Sequence, residues 1–234
     1  MRAAVRLLTR FALSDVCSVC LAAAPVADSD VCARCVSRLP ALPTPRCGCC
    51  GGPLDGVLNA CGECLRAGGR PWEHAVSVFP LTGVVRELVH RFKYQGHTYL
   101  APFFAARMAE SWHRHGCGAP DLVVPVPLHW FRHMCRGYNH AELLAGCLCR
   151  HLGLDLGRHV RRRRWTAQQA LLDFTARQGN MKDAFAVRGN DRLSGRHVLL
   201  VDDVLTTGAT LAAVTQQLRE AQVATVSVIT AARG

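Results

Sequence analysis

Val198-Leu199-Leu200-Val201-Asp202-Asp203-Val204-Leu205-Thr206-Thr207-Gly208-Ala209-Thr210-Leu211 carries three local signals in succession. Val198 to Val201 form a short apolar run, as a strand buried on both faces requires. Two carboxylates, Asp202 and Asp203, follow where that strand, expected over 197–201, ends. The hydroxyl-rich turn Thr206 to Thr210 then opens a helix, expected over 208–221, with Leu211, Val214 and Leu218 at helical spacing. In open α/β sheets, ligands sit at the carboxyl ends of strands. The free N–H groups of a helix start attract an anion, Thr206, Thr207 and Thr210 add hydroxyl donors, and Gly208 lets the backbone approach closely. Carboxylates beside an anion cradle repel the ligand unless they bind hydroxyls or a cation. A sugar phosphate with a vicinal diol, screened by magnesium, meets both demands.

Working outward, Ala75 to Leu81 and Leu122 to Val126 read as strands, and Val223 to Thr230 closes as another. Between them Val84, Val85, Leu88, Val89 and Phe92 recur at helical spacing, as do Leu100, Phe103, Phe104, Met108 and Trp112. A further helix is expected from about His140 to Leu152. Strands alternating with helices predict an α/β fold with a doubly wound, mostly parallel sheet. Cys64 to Pro71 reads as a hinge, dividing the chain into a small module over 1–70 and the α/β domain over 71–234.

The small module is defined by cysteine. Of the chain's 13 cysteines, eight fall into Cys-x-x-Cys pairs: Cys17 with Cys20, Cys32 with Cys35, Cys47 with Cys50, and Cys61 with Cys64. The pairs recur at intervals of about 15 residues, a short internal repeat. Four such pairs suffice for two structural zinc sites of the zinc-ribbon type, each held by four cysteines and so left with no open coordination position. Pairing first with second and third with fourth is the simpler arrangement; crossed pairing, or one zinc with other pairs unused, stays open. Cys49 can replace Cys47 or Cys50. Paired knuckles plus unpatterned thiols fit a reducing cytoplasm better than a secreted disulfide framework. No apolar run reaches the length of a membrane span, and Met1 to Val16, interrupted by Arg6 and Arg10, reads as an amphipathic lead-in helix rather than a signal peptide.

The net charge of +11, from 28 Lys and Arg against 17 Asp and Glu, favours polyanionic ligands without choosing between a phosphorylated small molecule and nucleic acid. Much of it lies between the second and third sheet segments: Arg132, Arg136 in Arg136-Gly137-Tyr138-Asn139, and the stretch Arg161 to Asn180. That stretch is either a solvated surface loop or a basic loop that closes over a ligand phosphate and excludes water.

The 198–211 run resembles, at every position, the signature of type I phosphoribosyltransferases that binds 5-phosphoribosyl 1-pyrophosphate (PRPP). The resemblance implies that Asp202 and Asp203 hold the ribose hydroxyls and that Thr206, Thr207, Gly208, Ala209 and Thr210 wrap the 5-phosphate. Val123-Val124-Pro125-Val126-Pro127-Leu128 resembles the loop by which amidophosphoribosyltransferase relatives grip pyrophosphate through backbone groups of Val126, Pro127 and Leu128. Arg136-Gly137-Tyr138-Asn139, then Thr166, Gln169, Leu172, Arg177, Asn180 and Phe185, with Lys93 upstream and the cysteine pairs, resemble the ComF family of competence-associated proteins.

Two functions follow from that resemblance. One is transfer of a phosphoribosyl group from PRPP with magnesium, Arg177 helping to neutralise the leaving pyrophosphate; no residue stands out as general base for the acceptor. No Cys follows Met1, so there is no sign of the N-terminal-Cys glutaminase of full amidophosphoribosyltransferases. The other is a single-stranded DNA handling factor working with the competence machinery, keeping the PRPP pocket as sensor or vestige. Aromatics make up only 6% of the chain, which speaks against an extensive base-stacking platform.

Overall fold

The structure, a computed structural model, describes residues 16–20, 22, 31–54, 58–115, 118–128, 137–163, 184–189 and 192–234. The lead-in segment before Val16, Arg132, Arg136, and Thr166 through Asn180, Arg177 included, lie outside the described residues.

Four strands form a parallel sheet: β1 (His74–Pro80), β2 (Leu122–Pro125), β5 (His197–Leu205) and β6 (Thr225–Arg233), in the order β1-β6-β5-β2. Alternate side chains face opposite layers. Leu199, Val201, Ile229 and Val123 pack under α3 (Gly83–Tyr94), α4 (Leu100–His115) and α5 (His140–Leu152). Leu200, Val198, Val228 and Val124 pack under α6 (Ala209–Glu220). Burial on both faces explains why these strands read as continuous apolar runs. The helices keep one apolar stripe each; Val85, Leu88, Val89 and Phe92 of α3 are all buried, each contributing about 1.5–3 kcal/mol of transfer free energy. Buried polar groups within the sheet are paired: Ser77 and Thr230 share a hydrogen bond of 2.8 Å, and His197 Nε2 and Ser227 Oγ one of 2.9 Å.

Two features differ from the sequence reading. First, β5 runs on to Leu205 instead of stopping at Val201. On one side β2 ends at Pro125, opposite Val201. On the other, β6 keeps offering partners, so Asp202 pairs with Thr230 and Val204 with Ala232. The acidic pair therefore lies within the strand, fixed by half a ladder. Second, the basic stretch is framed by an antiparallel hairpin, β3 (Val160–Arg162) with β4 (Phe185–Val187), closed by the Arg163 N–H to the Ala184 carbonyl at 2.7 Å.

The cysteine-rich part packs against the sheet layers. Its short helices are α1 (Ala33–Val36) and α2 (Gly62–Arg66). The first pairs share the core of α3 to α5 and the later pairs share the core under α6. Backbone and side chains near the third pair also cover the free edge of β1: the Ala75 N–H reaches the Gly48 carbonyl at 3.3 Å, and Arg46 Nη1 the Ser77 carbonyl at 3.0 Å. Occupied in this way, the edge is a poor template for pairing with other chains. Among the described residues no helix is long and apolar enough to cross a membrane.

Candidate functional site

The ends of β5 and β2 meet the start of α6 at one edge of the sheet. Asp203 is only 8% exposed and forms an ion pair with Lys93 Nζ at 2.9 Å. Asp202 Oδ1 accepts from the Asp203 N–H at 2.9 Å. Burial, then the neighbouring Asp203 charge, push the Asp202 carboxyl up to about 8, against the opposing pull of Lys93. Burial disfavours the Lys93 ammonium, yet the charge and hydrogen bond of Asp203, with Asp202 behind it, outweigh burial and raise its pKa. One ammonium thus serves two carboxylates, and Asp202 is poised to take a hydroxyl or a share of a cation.

Lys93 comes from the last turn of α3, and the stretch after residue 136 holds that turn in place. The Tyr138 hydroxyl donates to the Phe92 carbonyl at 2.9 Å, and His140 Nε2 to the Lys93 carbonyl at 2.9 Å. Asn139 caps α5 by accepting from the Ala141 N–H at 3.2 Å while its Nδ2 donates to the Val126 carbonyl at 3.1 Å. The Val126 N–H donates to the Val201 carbonyl at 2.9 Å. Gly137-Tyr138-Asn139-His140 is therefore a brace between the 126–128 loop and the lysine, a role that the spacing of these residues does not announce.

Beyond Leu205 the chain turns through exposed Thr206 and Thr207 into Gly208, at φ +78°, which begins α6 without a side-chain cap on its backbone. The Ala209 N–H reaches Thr207 Oγ1 at 3.4 Å, a long contact that a stronger acceptor such as an anion can displace. Asp202, Thr206, Thr207, Gly208, Ala209 and Thr210 line a small open hollow of about 50 Å³. Gly208 is required twice over. Its φ is left-handed, and a Cβ there would lie 3.0 Å from Trp72 Cη2 and 3.3 Å from Arg70 Nη1. Gly208→Ala is expected to cost about 1–2 kcal/mol from the left-handed conformation alone, a fall of about 2–8 °C in a thermal melt for a chain of this size. An unchanged melting temperature would show that the turn relaxes freely.

The structure brings Asp202, Asp203, the 206–210 turn and Val126, Pro127 and Leu128 to the same sheet edge, and adds Arg70 and Trp72. Neither was singled out in the sequence, where they fall in or beside the expected hinge. Arg70 Nη1 donates to the Thr207 carbonyl at 2.7 Å, and Trp72 Nε1 to the Cys49 carbonyl at 2.5 Å.

The eight paired cysteines form two clusters, Cys17, Cys20, Cys32 and Cys35, and Cys47, Cys50, Cys61 and Cys64, with each set of sulfurs within 4.8 Å of one another. First pairs with second and third with fourth; Cys49 belongs to neither cluster. Across the pairs, Cys20 and Cys32 Sγ are 3.9 Å apart and Cys50 and Cys61 Sγ 3.7 Å. A tetrahedron with Zn–S arms of about 2.3 Å has edges of about 3.8 Å, so the spacing suits zinc. The N–H groups of Val19 and Cys32 point at Cys17 Sγ, and that of Cys61 at Cys47 Sγ. Burial opposes a Cys17 thiolate, but the N–H groups of Cys20, Cys32 and Val19 win and bring it down to about 6. Burial and three neighbouring thiols drive Cys35 up to about 12. Four sulfurs gathered this closely, with backbone N–H groups aimed at one of them, fit a donor set completed by a cation.

Residues 105–234 match the phosphoribosyl transferase domain family. Competence protein F of Haemophilus influenzae is 33% identical over 177 residues, 73% of this chain and 77% of that protein. DNA utilization protein YhgH of Shigella flexneri is 35% identical over 184 residues, 76% of this chain and 80% of that protein. Among solved structures, purine phosphoribosyltransferase from Pyrococcus horikoshii is 17% identical, covering 54% of this chain and 67% of that chain, with a TM-score of 0.34. The chain belongs to the ComF family and carries a phosphoribosyl transferase domain.

Proposed function

We propose that this chain binds PRPP with magnesium at the carboxyl end of β5 and serves the handling of incoming DNA. The observation that carries the first half is the acid pair, Asp202 and Asp203, held by Lys93 beside the helix start at Gly208. In this reading the two carboxylates hold the ribose hydroxyls, Thr206 to Thr210 enclose the 5-phosphate, and backbone groups of Val126, Pro127 and Leu128 face the pyrophosphate. Magnesium would favour the ionised form of Asp202 and balance the charge that Lys93, already paired with Asp203, leaves on it. An acceptor attacking the anomeric carbon then displaces pyrophosphate, with basic side chains favouring the leaving charge. The division into a zinc-ribbon module over 1–70 and a catalytic or sensing domain over 71–234 belongs to the same proposal. Thiolate ligands require a reducing compartment, which supports a cytoplasmic placement.

Arg177 is assigned to the leaving group. Supporting this, the stem from which residues 164–183 extend is itself crowded with positive charge. Repulsion from Arg188, then burial and Arg163, lowers the Arg161 pKa, and Arg162 lies 5.4 Å from the Phe185 ring centroid. Calorimetric titration with PRPP and magnesium tests the site. Wild type is expected to bind, and Arg177→Ala about tenfold more weakly, the effect of one charge-assisted hydrogen bond. Equal affinities would remove Arg177 from the assignment, and no binding by wild type would remove the PRPP site.

A second reading, direct binding of single-stranded DNA, is supported by the relatives' link to DNA utilization and by a cleft lined by Arg46, Arg107 and Arg114, with Glu110 paired to Arg107, together with Leu39, Val78 and Phe79. Salt-steep DNA affinity that survives Asp202→Ala with Asp203→Ala would support DNA binding apart from the sugar site. Pyrophosphate release that appears only with an added nucleobase or amine would support transfer.

A further inference from the structure

Arg70 joins two parts of the molecule that the sequence keeps 137 residues apart. Its side chain is 7% exposed, and its guanidinium has partners on both sides. Nη1 donates to the Thr207 carbonyl at 2.7 Å, in the middle of the phosphate turn. Nη2 donates to Glu63 Oε1 at 3.2 Å, next to Cys64 of the second cysteine cluster. Glu63 also reaches Arg233 at 3.5 Å, at the end of β6. The guanidinium carbon lies 5.8 Å from the Trp72 ring centroid, and that indole is tied to the Cys49 carbonyl between two cluster cysteines. Trp72 and Arg70 are also the groups that a Cβ at Gly208 would strike. Leu205 Cδ1, equally close at 3.3 Å, belongs to the strand that leads into the turn; Trp72 and Arg70, which press on it from outside, are both anchored at the second cluster.

We infer that Arg70 is a positioning residue through which the second cysteine cluster holds the 206–210 turn in its anion-binding shape. A carbonyl held by Arg70 cannot swing into the hollow, so the N–H groups of the turn stay aimed at a phosphate. The ligand half of this inference rests on the PRPP reading; the ordering of the turn does not.

The test compares wild type, Arg70→Met, Glu63→Gln and the double variant in the full chain, with zinc content checked in each. The reporter of turn order is the Ala212 amide, which donates to the Gly208 carbonyl at 2.8 Å. In Arg70→Met, with its zinc content equal to wild type, Ala212 is expected to exchange about tenfold faster, the scale of one lost hydrogen bond from a charged donor. PRPP affinity is expected to fall by a similar factor, and Arg70→Lys to recover part of it. Glu63→Gln should shift both readouts less and add nothing to Arg70→Met, since both act on one contact. Unchanged Ala212 exchange in Arg70→Met overturns the inference, even where wild type binds PRPP. Faster exchange in a protein whose wild type binds no PRPP keeps the tether and removes only the sugar-phosphate reading.

Discussion

Asp202→Asn is expected to weaken PRPP binding by about 100-fold or more while making the free protein more heat-stable at pH 8. The first effect, measured at pH 8 or above where Asp202 ionises, follows from the loss of a charged acceptor for ribose hydroxyls, with charge-assisted hydrogen bonds worth about 1.5–3 kcal/mol each. The second follows from linkage. Burial, with Asp203 beside it, raises the folded-state pKa of Asp202 to about 8, against an unfolded value of about 3.9. Between those values the folded chain binds more protons than the unfolded one, so stability falls as pH rises. The neutral carboxyl contributes its full stability below about pH 4, and that contribution is lost as pH rises through about 8. Asparagine, neutral throughout, escapes the loss. Thermal melts of the two proteins should nearly coincide at pH 4 and separate by about 2–8 °C at pH 8, for a difference of about 1–2 kcal/mol. Asp203→Asn should lose PRPP in the same way but melt lower, because it strips Lys93, whose side chain is 22% exposed, of its partner. Matching melts for both variants at pH 8 would mean that the two carboxylates share one environment, contrary to their placement.

The parts of this site that are legible in sequence are those encoded locally. An apolar run, two acids and a hydroxyl-rich turn occupy consecutive positions from Val198 to Thr210, and each obeys a short-range rule. The Cys-x-x-Cys pairs are local in the same way, and their sequential pairing is the one found. The helices from Gly83, Leu100 and His140 announce themselves by apolar spacing. What escapes is set by partners far along the chain. The extension of β5 to Leu205 depends on the length of β6. The β3–β4 hairpin consists of two three-residue strands too short to show a period. Lys93 meets Asp203, and Arg70 meets Thr207, across more than a hundred residues. The expected hinge at Cys64 to Pro71 reads as a break because Gly68-Gly69 are conformationally permissive and Pro71 interrupts regular structure. Its anchors lie elsewhere, in Thr207 and Cys49.

That placement makes the second cysteine cluster the part of the molecule whose loss should cost most. Cys64→Ser is expected to lower zinc from two per chain to one and to unfold the surroundings of Trp72. Cys50 and Cys64 are fully buried and share a core with Trp72, Leu200, Leu211 and Val228. A structural zinc site contributes apparent binding free energy of about 10–16 kcal/mol in isolated fingers, against a net stability of about 5–15 kcal/mol for a whole domain. Even a fraction of the first figure is enough to release the module. Metal analysis and a red shift of tryptophan emission read the two halves of the result. Cys49→Ser is the internal contrast. Its sulfur lies outside both clusters, and Trp72 uses its carbonyl, which serine keeps. Zinc should stay at two and stability within about 0.5 kcal/mol, as for substitutions away from any special feature. If Cys49→Ser lost metal and Cys64→Ser kept it, the ligand set would be misassigned, and with it the anchor on which Arg70 and the phosphate turn depend.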